Sequence, residues 1–372
     1  MRRLAVLLIL ILFAMPARAE WRRAESPNFV VYGDVSESRL REPILLVEDF
    51  AQLLRGLPSA GDAPSPRLHV YVVGGIEDLR TIRPVADGIA GYYMATNEGI
   101  AAFVNGREER RGDELLLHEY AHHFMRQHMR GAWPSWYVEG FAEYFATVRF
   151  TGRRIEIGNY SRGRAWQILD GQWLPMERVL AGGTDGLNEA AMSAYYAQSW
   201  LLVHYFYSNS ERLRALSRLL GGTRSGLDAR DALRLATGLT PEQLTDELRR
   251  YIRPGTIAYR YAPRASAEAP PPITVTAMPP STGDLILFKG ALRVGIAEDN
   301  REAYLQRIRS IAARYPDDPF AMRVLAHAEL LHGDGAAADR LLDRLLASRE
   351  GDADLLYLKG LRQLTLAKSD DA

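Results

Sequence analysis

Residues 118–144 read HEYAHHFMRQHMRGAWPSWYVEGFAEY, and this stretch decides both the fold and the chemistry expected of the chain. Its first five residues form the pattern HExxH. On a helix with 3.6 residues per turn, His118 and His122 lie one above the other on one face, so two imidazoles can bind one metal ion. Glu119 lies beside that face, where its carboxylate can take a proton from a metal-activated water. The pattern therefore predicts a helix that carries a zinc site and a general base.

A third protein ligand is needed, because zinc in hydrolases commonly keeps three protein ligands and one water. His128 has the third-histidine spacing of the pattern HExxHxxGxxH, but Met125 stands where that pattern has the glycine of a sharp turn. If the helix simply continues, His128 lies away from the metal face and is expected on the solvent side. Glu139 lies on the next predicted helix, which starts near Ser135, and a helical hairpin can bring it to the metal. We favour Glu139 over His128.

A second carboxylate, Glu143, follows Glu139 by one helical turn on the same face. It is placed to reach a ligand imidazole, and such outer carboxylates fix the tautomer and orientation of the ring. The alternative is a solvated acidic face. The aromatic residues Trp136, Phe141 and Tyr144, which recur at helical spacing, weaken that alternative.

The segment HEYAHHF followed by WPSWYVEGFAEYF resembles the gluzincins, the thermolysin-like clan of zinc metallopeptidases, and within them the bacterial peptidase MA-like family. The resemblance covers residues 22–252 and rests on about 30 residues around the two helices. It implies a zincin-like domain with one Zn²⁺ per chain. The roles that it implies are zinc ligands at His118, His122 and Glu139, the general base at Glu119, and the outer carboxylate at Glu143.

The same resemblance implies features that contact the substrate. Strand Ile100–Val104 would be the edge strand on which an extended peptide lies. Tyr196, in a segment that resembles the tyrosine segment of related aminopeptidases, would stabilise the oxyanion, with Tyr195 as the reserve. His204 is interpreted as a packed core histidine. Residues 91–97 lack the glutamate with which aminopeptidases of this clan hold the substrate amino terminus, so exopeptidase activity is not supported.

The fold class predicted from the whole sequence is α+β. A small mixed sheet precedes the active-site helix, which is expected to begin with Asp113 as its cap and to end near Arg130. The predicted strands are Phe29–Tyr32, Leu68–Val73, Gly91–Ala95 and Ile100–Val104. A loop rich in glycine and arginine follows the second helix. The mainly helical half then contains Asn188–Ser208, Glu211–Leu220, Ala229–Ala236 and a helix that starts at Pro241.

Residues 253–282 are rich in proline and predict a linker between a zincin-like domain at 20–252 and a helical region at 283–372. Within that region, the segments DPFA (318–321) and DADL (352–355) begin 34 residues apart, which is the tetratricopeptide period. We expect a tetratricopeptide-like region that can bind a protein partner. The alternative is an ordinary helical hairpin or bundle.

Residues 1–19, MRRLAVLLILILFAMPARA, have a basic start, a short apolar run and the small residues of a cleavage site. They predict a signal peptide, the alternative being an uncleaved anchor, and hence a periplasmic or secreted protein without a stable membrane span. The chain has no cysteine, so a metal site must use histidine and carboxylate. Removal of the leader leaves 43 of the 46 basic side chains beside 46 acidic ones, which offers no reason to expect nucleic-acid binding.

These observations predict an exported zinc-dependent metallopeptidase that hydrolyses peptide or protein substrates with Glu119 as general base. The alternative is a catalytically weak or inactive peptidase-like protein that acts as an interaction module through its tetratricopeptide-like region. An inactive relative would be expected to have lost at least one of His118, Glu119, His122 and Glu139. The presence of all four favours the enzyme.

Overall fold

A computed structural model describes residues 20–370 except 59, 62–66, 86–88, 90, 97–98, 107–108, 130, 153, 161, 254–259 and 265–270. The predicted signal peptide, residues 1–19, lies outside the described residues. The elements up to the second sheet are β1 (Arg22–Glu25), β2 (Phe29–Gly33), α1 (Glu37–Arg55), β3 (Leu68–Val73), α2 (Ile76–Ile82), β4 (Gly91–Thr96), β5 (Gly99–Asn105), α3 (Glu109–His128), α4 (Ser135–Ala146), β6 (Arg149–Thr151) and β7 (Arg154–Ile157). The described residues thus begin with a strand-rich half.

Helices dominate the rest of the described chain. Its elements are α5 (Arg162–Asp170), α6 (Met176–Ala181), α7 (Glu189–Tyr207), α8 (Ser210–Arg224), α9 (Ala229–Thr237), α10 (Pro241–Tyr251), β8 (Arg260–Pro263), β9 (Thr274–Ala277), α11 (Thr282–Val294), a 3-10 turn (Glu298–Asn300), α12 (Arg301–Ala312), α13 (Pro319–His332), α14 (Gly335–Leu346) and α15 (Ala353–Asp370). The predicted α+β class is confirmed. None of the helices in the described ranges is long and apolar enough to cross a membrane.

Contacts between residues divide the chain into two compact units. Unit 1 contains residues 1–44, 66–109 and 272–372, and unit 2 contains residues 45–65 and 110–271. The boundary at 271/272 falls inside the predicted linker. The grouping nevertheless differs from a division into consecutive domains, because the N-terminal strands belong with the C-terminal helices.

Unit 1 is built on a six-stranded mixed sheet with the order β4-β5-β3-β2-β1-β9. Strands β2, β3 and β5 are parallel, with Val31 opposite Val70 and Val70 opposite Ala102. Strand β4 pairs antiparallel with β5, and β1 pairs antiparallel with both β2 and β9. The predicted edge strand Ile100–Val104 is therefore wrong in its position. It lies inside the sheet, since its hairpin partner β4 occupies the edge.

The core of unit 1 joins this sheet to the C-terminal helices. Buried sheet residues such as Val30 and Phe103 belong to one apolar cluster with Leu285 of α11 and Val324 of α13. On α11, a Cβ on Gly290 would lie 2.8 Å from the Phe103 ring, so the helix approaches the sheet closely. A sheet with one apolar face has to bury it against another layer, and these helices supply that layer.

The C-terminal helices α13 and α15 begin at Pro319 and Ala353, 34 residues apart. Asp318 caps α13 by accepting hydrogen bonds from the backbone N–H groups of Phe320 and Ala321. A small apolar cluster holds α13, α14 and α15 together; its buried members are Met322, Ala326, Leu342, Leu345, Leu355 and Leu358. The tetratricopeptide-like arrangement stays a prediction.

Unit 2 is mainly helical, with α4 packed against α7 and a small sheet of β6, β7 and β8. A Cβ on Gly140 of α4 would lie 2.2 Å from the carbonyl oxygen of Ser199 on α7. Only a glycine allows the two helix backbones to approach so closely. Gly140 stands directly after Glu139, so this contact also fixes the position of the predicted ligand.

Three predictions on local structure need correction. Helix α3 begins at Glu109, so Asp113 lies inside the helix and does not cap it. The predicted Gly- and Arg-rich loop contains β6, β7, α5 and α6. The predicted linker contains two strands, of which β8 pairs with β7 and β9 pairs with β1. Pro263 is compatible with β8 because that strand lies at the edge of its sheet.

Candidate metal centre

Helix α3 carries the HExxH motif on a face held in place by its buried opposite side. Leu116, Leu117, Tyr120, Ala121 and Phe124 are buried, and Phe124 is fully so. The periodicity of a helix leaves His118 and His122 on a half-buried face, one turn apart. Their ring centroids are 4.7 Å apart and nearly perpendicular, so both rings project toward the same region.

Helix α4 brings the predicted third ligand to this face. The Nε2 atoms of His118 and His122 are 3.0 Å apart, and they lie 3.6 Å and 3.4 Å from Oε2 of Glu139. These three residues form a group that can hold a metal ion, in which each contributes one ligand atom. Glu139, selected from the sequence over His128, is thus the residue that lies beside the two histidines.

The dimensions and chemistry of this triangle fit a zinc ion. A tetrahedral ion with bonds of about 2.0–2.1 Å to nitrogen and oxygen separates its ligands by roughly 3.3 Å. The three observed distances lie close to that separation. Two imidazoles and one carboxylate also form a ligand set found at catalytic zinc sites, which keep a fourth position open for water.

The electrostatics of the two histidines differ. The pKa of His118 is lowered to about 4, mainly by burial and also by the neighbouring His122, against the opposing charges of Glu143 and Glu139. Burial also lowers the pKa of His122, but its hydrogen bond and charge interaction with Glu139 outweigh this effect and raise it. His118 is therefore neutral at pH 7, with a lone pair available to a metal. The Glu139 carboxylate, whose pKa is lowered mainly by His122 despite its burial, supplies negative charge.

The pKa of Glu119 rises toward neutrality. Burial raises it to about 7, and the negative charges of Glu139 and Glu143 act in the same direction while His122 opposes them. A carboxylate with a pKa near the working pH can both accept and release a proton, which is what a general base in hydrolysis must do.

A third carboxylate connects the ligands to a residue that the sequence reasoning missed. Oε1 of Glu143 lies 3.6 Å from Nδ1 of His118, on the opposite side of the ring from Nε2. Arg164, on α5, donates two hydrogen bonds to this carboxylate, from Nε to Oε2 at 2.9 Å and from Nη2 to Oε1 at 2.6 Å. This bidentate pair fixes the plane of the Glu143 carboxylate. No local pattern marks Arg164, because it lies 21 residues beyond its partner in a segment that resembles a loop.

Tyr196, the predicted oxyanion donor, lies beside this network on α7. The guanidinium carbon of Arg164 is 5.2 Å from the centroid of the Tyr196 ring, which allows a cation–π contact. Burial raises the Tyr196 pKa to about 12, with Glu139, Glu143 and Glu119 adding to the rise. The hydroxyl therefore keeps its proton at neutral pH and can donate a hydrogen bond. Tyr195, the reserve, is fully buried in the core.

Two further histidines of unit 2, His128 and His204, have structural contacts. Nδ1 of His128 lies 3.0 Å from the carbonyl oxygen of Gly61, and its ring packs on Phe124. The expectation that His128 lies on the solvent side is wrong, because the residue is 4% exposed. His204 is also buried, between the Tyr251 hydroxyl at 2.8 Å and the Gly158 carbonyl oxygen at 3.0 Å.

No family model matches the chain, and no curated protein is similar enough to count as a relative.

Proposed function

We propose that this chain is a zinc-dependent metallopeptidase that hydrolyses peptide bonds. The observation that carries the proposal is the triangle formed by His118 Nε2, His122 Nε2 and Glu139 Oε2, with sides of 3.0 to 3.6 Å. Zinc held there would act as a Lewis acid that activates water and polarises a carbonyl. The resemblance of the two motif helices, α3 and α4, to the zincin-like peptidase MA-like gluzincins supports the same function.

The residues around the triangle supply the other parts of a hydrolytic mechanism. Glu119, with its pKa raised to about 7, takes the proton from the attacking water and passes it to the departing amine. Tyr196 donates a hydrogen bond to the oxyanion of the tetrahedral intermediate, because its hydroxyl stays protonated. Glu143 orients His118 through Nδ1, and Arg164 holds Glu143.

The proposed site of action is the periplasm or the exterior of the cell, which rests on the leader-like sequence of residues 1–19. The ligand set is compatible with an exported protein. Because the chain has no cysteine, no thiol of its own could compete with the histidines and Glu139 for the ion. The substrate class that we propose is peptide or protein, without a defined cleavage preference.

The experiment that tests this proposal is a digest of a diverse peptide library by the purified chain, run beside Glu119→Gln. The variant removes the base and keeps the volume of the side chain, so zinc should stay bound while cleavage falls by about 10²- to 10⁴-fold. A library that is not cleaved by zinc-loaded protein would contradict peptidase activity. Equal cleavage by the variant would remove Glu119 from its proposed role.

A second candidate function is protein binding through the C-terminal helices. The observation that favours it is the 34-residue spacing of α13 and α15 together with the exposure of Leu356 and Leu364 on α15, at 51% and 62%. A tetratricopeptide-like region of this kind can bind a partner while the metal centre is active or inactive. Folded protein without zinc would favour this second function over hydrolysis, because an interaction module has no need of a metal.

A further inference from the structure

Unit 1 contains a second polar site, which is independent of the residues proposed for hydrolysis. A cavity of about 560 Å³ lies among the strands β1, β2 and β3 and the C-terminal helices. Its volume falls in the range of roughly 300–1,000 Å³ that small-molecule sites occupy. Every residue that lines it belongs to unit 1.

The charges that line the cavity are strongly unequal. Two carboxylates, Asp352 and Asp354, face five cationic side chains: Arg23, Arg67, Lys289, Arg323 and Arg349. The chain as a whole is balanced, with 46 basic and 46 acidic side chains, so this excess is local. An excess of one sign of charge in a cleft raises the local concentration of counter-ions.

The internal ion pairs do not remove this excess. Both aspartates bind the same cation, Arg323; Asp354 does so at 3.3 Å and Asp352 by a shorter contact. Just outside the lining, Glu25 pairs with two of the arginines, with Arg23 at 3.0 Å and with Arg67 at 2.7 Å. Three carboxylates thus form ion pairs with three of the five cations. The two other cations of the lining are Lys289 and Arg349. Within the described ranges of the chain, neither of these two forms an ion pair.

Lys289 is the residue that makes this arrangement unusual. Its ammonium lies over two aromatic rings, 5.0 Å from the centroid of Tyr32 and 5.6 Å from that of Phe320. Burial lowers its pKa, and the nearby arginines 293 and 323 act in the same direction against Tyr32 and Asp354. Lys289 is half-buried, and an ammonium partly removed from water without a carboxylate partner loses hydration that cation–π contacts recover only in part.

We propose that this cavity is a binding site for a small anionic molecule, a carboxylate or a phosphate attached to an apolar or aromatic body. The anion would complete the interactions of Lys289 and Arg349, and the body would lie against Tyr32 and Phe320. His69 also faces the cavity, and its Nδ1 atom lies 3.2 Å from the Tyr32 hydroxyl. Burial lowers the pKa of His69 well below its usual value, so the imidazole is neutral and its other ring nitrogen can contribute a hydrogen bond.

The test uses the full chain and three probes of similar size: phenyl phosphate, isophthalate and the neutral benzamide. Calorimetric titration and thermal unfolding at low ionic strength should show binding and stabilisation by at least one of the two anions. Benzamide should bind much more weakly, because it lacks the charge. Binding of phenyl phosphate alone assigns a phosphate ligand, and binding of isophthalate alone assigns a carboxylate.

Two substitutions locate the binding. Lys289→Met replaces the ammonium by an apolar group of similar length, a change that often preserves folding when a buried charge is removed. It should weaken anion binding about tenfold or more. Arg349→Gln, at an exposed position, gives a second measurement that does not depend on the core and should weaken binding by a smaller factor.

The matched control is Lys359→Met, since Lys359 also lies in unit 1 but pairs with Asp343 at 2.7 Å and with Asp339 at 3.5 Å. This variant should bind the anions as tightly as the unchanged chain. The proposal is overturned if neither anion binds at millimolar concentration. It is also overturned if both Lys289→Met and Arg349→Gln bind with unchanged affinity.

Discussion

The two polar sites of this chain are built with opposite charge balances, and each imbalance indicates the charge of its ligand. In unit 2, Glu119, Glu139 and Glu143 surround two imidazoles, of which His118 is held neutral by burial. In unit 1, five cations face two carboxylates. The first set offers lone pairs and negative charge to a cation, and the second offers ammonium and guanidinium groups to an anion. The same principle, that buried charge needs a partner, yields different ligands for the two sites.

The largest expected effects come from removing one key charge from each site, in two separate variants. Glu139→Gln removes the anionic ligand and should lower zinc affinity by more than about 100-fold, because even outer partners of zinc ligands contribute 10- to 100-fold. Anion binding by the Glu139→Gln variant should be unchanged. Lys289→Met should show the reverse, with full zinc content and weakened anion binding. Zinc titration and calorimetry measure the zinc and anion affinities of both variants. A loss of both zinc binding and anion binding in either variant would contradict the comparison.

Tyr196 tests whether the acidic site also provides a hydrogen bond for the reaction. Tyr196→Phe removes the protonated hydroxyl and should lower kcat by about 10²- to 10³-fold while zinc content stays the same. The control is Tyr195→Phe, which changes the adjacent, fully buried tyrosine and should leave turnover nearly unchanged. If Tyr195→Phe shows the loss instead, the reserve residue is the donor.

Arg164→Gln tests the role of the cation that is paired with Glu143. Arg164→Gln should weaken zinc affinity by about 10- to 100-fold, because Glu143 loses both hydrogen bonds that fix it beside His118. Arg164→Lys should recover only a part, since an ammonium cannot form the planar pair. Arg162→Gln, at the exposed start of the same helix, is the control. Competition with a chelator measures the zinc affinity, and equal affinities in all three variants would exclude the positioning role.

The smallest expected effect concerns the packing that holds Glu139 in place. Gly140→Ala puts a Cβ 2.2 Å from the Ser199 carbonyl oxygen, so α4 and α7 must separate. We expect a loss of about 1–3 kcal/mol in the free energy of unfolding. Gly163→Ala, on α5, is the control: its Cβ meets nothing within 4 Å, and alanine favours a helix by about 1 kcal/mol. Denaturant unfolding of both variants should therefore give changes of opposite sign.

The sequence was sufficient for the parts of the acidic site that depend on local geometry. His118 and His122 are related by one helical turn, and Glu139 and Glu143 by another, so the period of the helix alone predicts which side chains share a face. The choice of Glu139 over His128 also followed from helix geometry. The strand Leu68–Val73 was predicted with its observed ends, because an apolar run bounded by turns marks it clearly.

The features that could not be predicted depend on distant contacts. Arg164 reaches Glu143 from another helix, and β9 joins the sheet beside β1, some 250 residues earlier in the chain. The position of β5 inside the sheet follows from strand pairing, which its own sequence does not encode. The cation-lined cavity combines residues from 23 to 354, so its charge excess becomes visible only when the chain is folded.

The most direct test of the central claim is the zinc content of the purified chain, measured by elemental analysis beside His122→Ala and His128→Gln. We predict about one zinc per chain in the unchanged protein and in His128→Gln, because His128 bonds to Gly61 and lies outside the triangle. We predict almost none in His122→Ala, which removes one of the three ligands. Folded protein without zinc, or zinc content that His122→Ala does not change, would contradict the account.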